Sequence, residues 1–252
     1  MKKKLIAIFV FTLVFFSFPL IEAKSYGWGF KRNNNNLPPD VGMYANEIAD
    51  TSSYYVGEAD EKVVYLTFDA GYDNGILGPM LDVLNEKGVK STFFVTGDFL
   101  KKEVDLTLRM NFEGHIVANH TWKHKNITKL SFEELKDEIT KVEEAYFEIT
   151  NEPMTKFFRP PAGEFNKEAL KNVERLGYKT FFWSLAYKDW ETNNQRGADY
   201  SYEQVMKNLH NGAIILMHTV SKSNLEALPR IIDGIREAGY EIKNLDYFVK
   251  KL

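Results

Sequence analysis

Three of the five histidines in this chain stand where they could bind a metal ion or move a proton. His120 and His124 are four residues apart, so both imidazoles could face one ion from a single turn of chain. His218 follows the apolar run 214–217, a position that suits a proton donor or a buried histidine that only packs. Spacing alone favours two unrelated histidines at 120 and 124, so the metal interpretation depends on the reactive residues nearby.

Two carboxylates, a guanidinium and an indole accompany these histidines. Asp69 could act as a metal ligand or as a general base. Asp189 could raise the pKa of His218 and keep that imidazole protonated as an acid. Arg159 precedes two prolines, which would present its guanidinium from a stiff turn, although a surface ion pair is the simpler alternative. Trp190 suits a pocket wall or a core position equally well.

The elements that must position these residues alternate regularly from residue 63 onward. Short apolar runs alternate with amphipathic helical stretches, which predicts a parallel sheet covered by helices. About seven such units favour an α/β fold, a distorted (β/α) barrel, over two small domains. The reactive residues follow predicted strands, so we expect them to converge at one end of the barrel. The predicted strands are 63–68, 92–95, 115–118, 157–158, 179–185, 213–217 and 240–242. The predicted helices are 76–86, 100–112, one that begins at Ser131, one capped by Asn166, 202–209 and 225–238.

The chain divides into three parts. Residues 1–23 combine three lysines with a short apolar run, which predicts a signal peptide, with an uncleaved anchor as the alternative. Residues 24–60 are irregular and predict a strap that lies on the domain formed by residues 61–252. A signal segment predicts an exported protein, and no other segment of the sequence has the length and apolar character expected of a membrane span.

Composition excludes several classes of protein. The 32 Lys and Arg against 35 Asp and Glu give a net charge of −3, which argues against a nucleic-acid binder. The chain has no cysteine, which excludes a disulfide scaffold, a thiolate metal site and a cysteine nucleophile. Aromatic residues make up 14% of the chain, a weak indication of surfaces that stack on sugars.

Five short segments, taken in order, resemble the motifs of the polysaccharide deacetylase family, the NodB-homology enzymes of carbohydrate esterase family 4. The match covers about residues 60–250, and five motifs in order are far more specific than any one of them. The segments are Thr67-Phe68-Asp69-Ala70-Gly71, His120-Thr121-Trp122-Lys123-His124, Arg159-Pro160-Pro161-Ala162-Gly163, Asp189-Trp190 and Leu216-Met217-His218.

The resemblance implies a NodB-type deacetylase domain over residues 61–252 and hydrolytic removal of an N-acetyl group from a glycan. The flanking segments look like those of members that act on peptide-free muramic acid and prepare the muramic δ-lactam of spore cortex. The implied partner is a peptidoglycan glycan strand, in the cell wall or the forespore intermembrane space. The flanking segments are Trp28-Gly29-Phe30-Lys31, Tyr72-Asp73-Asn74-Gly75, Phe182-Trp183-Ser184 and 190–195.

The resemblance also assigns roles to single residues. It implies a divalent metal ion, with zinc the expected one, bound by His120 and His124. The implied catalytic residues are Asp69 as base, Arg159 as the residue that orients it, His218 as acid and Asp189 as the residue that tunes His218. The implied substrate-binding residues are Tyr72, Trp190, Leu216 and Pro160.

One position departs from the family pattern. The first motif usually has a second aspartate that binds the metal, and here that residue is Ala70. Two imidazoles should hold an ion more weakly than a complete site does. The departure leaves open a wall-binding module with lapsed activity, and the motifs leave open intact peptidoglycan, chitin-type glycans or xylan as substrate.

Overall fold

A computed structural model describes residues 24–33 and 35–252 of the chain, so the signal segment predicted at residues 1–23 lies outside the described residues. Eight strands form one curled sheet, and the strand pairs within it are parallel. The predicted distorted (β/α) barrel is therefore confirmed. The strands are β1 (Tyr26–Gly27), β2 (Ser53–Tyr54), β3 (Val63–Ala70), β4 (Thr92–Val95), β5 (Ile116–Asn119), β6 (Phe157–Phe158), β7 (Glu164–Phe165), β8 (Lys179–Phe181), β9 (Ala213–His218) and β10 (Glu241–Lys243).

Strand β3 is the centre of the sheet, with partners β4, β9 and β10. All eight of its residues are buried, as expected for a parallel strand covered on both faces. Val64, Leu66, Phe68 and Ala70 pack in the cluster between sheet and helices, whereas Val63 and Tyr65 pack in a separate cluster with residues of β4, β5 and β8. Because side chains alternate along a strand, Thr67 and Asp69 share the face of Val63 and Tyr65.

The helices lie outside the sheet, and local side chains fix several of their ends. Ser131 and Glu134 form a reciprocal capping box at the start of α5, and the Asn166 side chain caps α6. The single helix predicted over 100–112 is two helices, because Glu103 (φ −117°, ψ 52°) leaves the helical region. The helices are α1 (Tyr44–Ile48), α2 (Leu77–Glu86), α3 (Gly97–Lys102), α4 (Val104–Phe112), α5 (Phe132–Thr150), α6 (Lys167–Arg175), α7 (Ala198–Lys207), α8 (Lys222–Glu237) and α9 (Leu245–Val249).

The sheet closes through isolated contacts instead of a full ladder. The strand predicted over 179–185 ends at Phe181, because the amides of Ser184 and Leu185 turn to the Ile214 carbonyl of β9. Leu185 then forms a single parallel bridge with Ile215. This short extension brings the segment after it, which contains Asp189, to the end of β9.

Among the described residues before β3, β1 lies in a separate two-stranded sheet and β2 stands at the end of the eight-stranded sheet. β1 pairs antiparallel with β7, and β2 pairs parallel with β8. Trp28 is buried, stacks on Phe182 with ring centroids 4.2 Å apart, and donates a hydrogen bond to the Trp183 carbonyl. Among the helices of the described residues, none has the length and apolar character needed to cross a bilayer.

Candidate active site

A pocket of about 660 Å³ opens at the carboxyl ends of the parallel strands. Polar groups from the ends of β3, β5 and β9 meet aromatic side chains from the loops. The residues that line it are Asp69, Gly71, Tyr72, Thr96, Asp98, His120, Trp122, Lys123, His124, Ala162, Trp183, Trp190, Leu216, His218 and Val220.

Asp69 lies on the pocket floor and is held by a buried arginine. Arg159 Nη1 donates to Asp69 Oδ1 over 2.7 Å, and Arg159 Nη2 donates to Thr67 Oγ1 over 2.8 Å. The guanidinium is fully buried and lies 4.1 Å from the Phe94 ring centroid. Burial alone would raise the pKa of Asp69, but Arg159, His120 and His218 together outweigh burial and lower that pKa below its usual value. Asp69 is therefore an ionised carboxylate.

His120 and His124 stand on the loop that follows β5. His120 Nδ1 lies 2.8 Å from the Arg159 carbonyl, which leaves Nε2 as the nitrogen on the side of Asp69, 3.6 Å from its Oδ2. The two imidazole centroids are 4.9 Å apart. Burial lowers the pKa of both rings, to about 4 for His120, so both are neutral near pH 7. Neutral imidazole is the form that binds metal ions.

Three contacts hold this histidine loop (residues 120–125) in an uncommon backbone conformation. His124 has φ +53° and lies in the left-handed region, as does Thr121. The buried Glu138 carboxylate of α5 accepts the Lys123 amide over 2.7 Å and pairs with the Lys125 ammonium. Trp122 packs so closely on Gly97 that a Cβ there would lie 1.9 Å from the indole ring. The loop is thus fixed before any ligand binds.

The donor set fits a divalent ion, with fewer protein ligands than a complete site. Each imidazole is neutral, and His120 has its second nitrogen against a backbone carbonyl, as metal-binding histidines usually do. Within residues 24–33 and 35–252, no group of three or more His, Asp or Glu residues is arranged to hold a metal ion. Waters or substrate oxygens would have to complete the coordination of an ion bound by His120 and His124.

His218, the last residue of β9, faces Asp69 across the strand pair. Asp189 Oδ1 lies 2.6 Å from His218 Nδ1, and Asp189 Oδ2 accepts the His218 backbone amide over 2.8 Å. Burial lowers the pKa of His218, but the charge and hydrogen bond of Asp189, together with the Asp69 charge, outweigh burial and raise that pKa above its usual value. Since Asp189 occupies Nδ1, His218 presents Nε2 to the pocket.

Asn224 of α8 holds the Asp189 carboxylate from behind. Its Nδ2 donates to Asp189 Oδ2 over 2.6 Å, while its Oδ1 accepts the hydroxyls of Tyr187 and Ser201. The opposite amide orientation would set two acceptors 2.6 Å apart with no proton between them, so the orientation is fixed. Asp189 therefore accepts three hydrogen bonds, which fix the orientation of its carboxylate toward His218.

Comparison with known proteins agrees with this arrangement. The model of the polysaccharide deacetylase family matches residues 56–181. The peptidoglycan-N-acetylmuramic acid deacetylase PdaA of Bacillus subtilis is 44% identical over 87% of this chain and 84% of its own length. The chain belongs to the polysaccharide deacetylase family. The resemblance drawn from the five motifs is thus confirmed, together with the expectation of a hydrolase.

A solved structure of PdaA and one further relative extend the comparison. The solved structure of Bacillus subtilis PdaA, a family 4 carbohydrate esterase, superposes with a TM-score of 0.88 at 43% identity, and the match covers 90% of this chain and 98% of that one. A peptidoglycan-N-acetylglucosamine deacetylase, PgdA of Listeria monocytogenes, is 34% identical over 82% of this chain but only 44% of its own length. Deacetylases of this family are generally metal-dependent.

Nine of the ten site residues predicted from sequence lie either in the pocket lining or directly behind it. Seven line the pocket: Asp69, Tyr72, His120, His124, Trp190, Leu216 and His218. Arg159 and Asp189 lie behind Asp69 and His218, and Pro160 is buried outside the lining, where Ala162 takes the wall position. Further residues that sequence reasoning did not single out are Asn224 behind Asp189 and, in the pocket wall, Thr96, Asp98, Trp122, Lys123 and Trp183.

Proposed function

We propose that this chain removes N-acetyl groups from peptidoglycan, acting on peptide-free N-acetylmuramic acid to prepare the muramic δ-lactam of spore cortex. One observation carries the hydrolytic part: Asp69 and His218 face one pocket from adjacent strands, each held by its own buried partner. The sugar is supported by the similarity to PdaA, whose name gives N-acetylmuramic acid as its substrate.

In the proposed reaction, Asp69 takes a proton from a water molecule while the water oxygen bonds to the acetyl carbonyl carbon. Arg159 keeps Asp69 ionised and aimed at that water. His218 then gives its Nε2 proton to the amide nitrogen as the carbon–nitrogen bond breaks, releasing acetate and a free amine. Asp69 returns its proton to solvent and His218 regains one, which completes the cycle.

Pocket walls would orient the acetyl group for this attack. We assign Leu216 to the acetyl methyl and the backbone N–H of Tyr72 to the developing oxyanion. Trp190 lies 5.6 Å from the His218 ring, centroid to centroid, and is half exposed, which suits stacking on a sugar. Pro160 contributes by stiffening the turn after Arg159.

His120 and His124 are the residues that would hold the divalent ion, with zinc the expected one. When bound, such an ion polarises a carbonyl oxygen and lowers the pKa of a coordinated water. Asp69 Oδ2 lies 3.6 Å from His120 Nε2, so the carboxylate proposed as the base stands beside the histidines that would hold the ion.

The proposal places the enzyme outside the cytoplasmic membrane. Residues 1–23 would act as a signal peptide, residues 24–60 as a strap, and residues 61–252 as the deacetylase domain. The location that fits a peptidoglycan substrate is the cell wall or the forespore intermembrane space.

Acetate release and mass spectrometry of glycan fragments test the substrate. We expect the mature chain to remove one acetyl group from muramic residues of peptide-free glycan, and to act more slowly on peptide-bearing glycan and on chitin oligomers. Preference for chitin oligomers or for intact peptidoglycan would reassign the substrate. Glycan binding without acetate release from any of the three would instead indicate the lapsed wall-binding module.

A further inference from the structure

The walls of the pocket contain few charged side chains, and cationic ones are especially scarce. Among the described residues that line it, Lys123 is the one Lys or Arg. Arg159 lies beneath the floor with its guanidinium engaged by Asp69 and Thr67. An anionic group elsewhere on a bound substrate, away from the reacting acetamide, would therefore have Lys123 as its permanently charged cationic partner.

The backbone of Lys123 is held firmly. Its amide donates to Glu138 Oε2 over 2.7 Å, and Glu138 is only 3% exposed. The same carboxylate binds the Lys125 ammonium through its other oxygen, 2.9 Å away. Lys123 stands directly before His124, so its side chain leaves from a fixed point beside the reaction centre.

The Lys123 ammonium has only a loose partner. Its Nζ lies 3.8 Å from Asp98 Oδ1, at the outer limit of an ion pair, and the two side chains are 50% and 55% exposed. An ion pair this long and this exposed to water adds little stability. A substrate anion can therefore replace Asp98 at Lys123 at small cost.

We propose that Lys123 binds a substrate carboxylate and selects sugars that carry one next to the N-acetyl group. The inference rests on the proposed function, because it assumes that the reacting acetamide lies between Asp69 and His218. In peptide-free muramic acid, the lactyl ether occupies the ring carbon adjacent to the one that bears the N-acetyl group. Its free carboxylate must then lie within a few ångströms of the reaction centre, whereas N-acetylglucosamine offers a neutral hydroxyl at that carbon.

The same interaction explains why an attached peptide would be rejected. Joining a peptide to the lactyl group turns its carboxylate into an amide, which has no charge for the Lys123 ammonium. Asp98 makes the interaction testable from the opposite side, because it competes with the substrate for Lys123. Removing the Asp98 charge should strengthen binding of the anionic sugar while removing the Lys123 charge weakens it.

The experiment compares kcat/KM on two matched glycans, peptide-free glycan and the same material with its lactyl carboxylates reduced to alcohols. Lys123→Met should lower kcat/KM about tenfold on the carboxylate glycan, the effect of a charge-assisted hydrogen bond at a half-exposed site, and leave the reduced glycan almost unchanged. Asp98→Asn should raise kcat/KM on the carboxylate glycan alone. Lys102→Met, an exposed lysine of α3 outside the pocket lining, is the matched control and should change neither.

Equal losses on both glycans in Lys123→Met would overturn the carboxylate role and leave deacetylation intact. The carboxylate role also fails if the wild-type chain does not distinguish the two glycans. Acetate release from chitin oligomers but not from peptide-free glycan overturns the muramic substrate and this inference together. No acetate release from any glycan overturns the proposed function itself.

Discussion

Replacing Asp189 with Asn should shift the alkaline limb of the kcat–pH profile toward lower pH, because His218 loses the neighbouring charge that raises its pKa. The Asp189 carboxylate contacts the His218 imidazole over 2.6 Å in a buried setting. A hydrogen bond to a charged group contributes about 1.5–3 kcal/mol, and one pKa unit corresponds to about 1.4 kcal/mol. Without the carboxylate, burial remains and lowers the pKa of His218, so the acid loses its proton at lower pH.

The direction of the predicted pH shift follows from the protonation state in which His218 is active. The leaving amine needs a proton on Nε2, so a lower pKa removes activity from the alkaline side first. The stability of the folded chain should depend on pH in the same direction as the activity. A histidine whose pKa is raised in the folded state stabilises the fold below its unfolded pKa and loses that contribution as pH rises through the folded value. Asp189→Asn should therefore lower Tm more at about pH 6 than at about pH 9.

Acetate release measured between about pH 5 and 10 gives the limb, and NMR of labelled histidine gives the pKa of His218 directly. Asp199→Asn is the matched control, because Asp199 is an exposed partner of Arg230 outside the pocket lining. An alkaline limb that stays in place in Asp189→Asn would refute the pairing of Asp189 with the catalytic acid.

Three further predictions test other parts of the site. Asn224→Leu should lower kcat about tenfold with little change in KM, whereas the helix cap variant Asn166→Ala should cost about 1 kcal/mol in a denaturant titration and leave kcat unchanged. An equal kcat loss in both would contradict a positioning role for Asn224. Asp69→Asn should reduce acetate release at least about 100-fold. It should also lower the free energy of unfolding by about 3 kcal/mol, because Arg159 is left as a buried charge without its partner. Unchanged acetate release would reject Asp69 as the base. Chelation should abolish acetate release, and zinc should restore it. Calorimetry should show weaker zinc binding in His124→Ala than in the wild-type chain. Full activity after exhaustive metal removal would exclude the ion from the reaction.

The sequence was sufficient to predict the barrel and the residues at strand ends. A parallel strand buried on both faces appears as an uninterrupted apolar run, and its carboxyl end is visible where that run stops. Asp69 and His218 stand at the carboxyl ends of two such strands, so they converge once the strands lie parallel in one sheet. The capping residue Ser131 was predictable for a similar reason, because a capping box needs only two residues three apart.

Residues that act through loops or helix faces could not be found in this way. Asn224 lies inside α8 and has no sequence feature that distinguishes it from any other polar helix residue. Its role depends on α8 packing beside the segment that contains Asp189. Lys123 and Trp183 belong to recognisable motif segments, but only the loop conformation shows which side chains turn toward the pocket. Pro160, conversely, shares a motif with Arg159 and yet is buried outside the lining.

The change at Ala70 does not disturb the base, and the alternation of β3 explains why. Ala70 is fully buried in the cluster between sheet and helices, on the strand face opposite Asp69. Asp69 depends for its charge and its aim on Arg159, which in turn is held by Thr67 on the same face of the strand. The base is therefore organised by a buried ion pair with Arg159, in which residue 70 takes no part. It follows that the departure at Ala70 can weaken metal binding at His120 and His124 without moving the carboxylate that activates water.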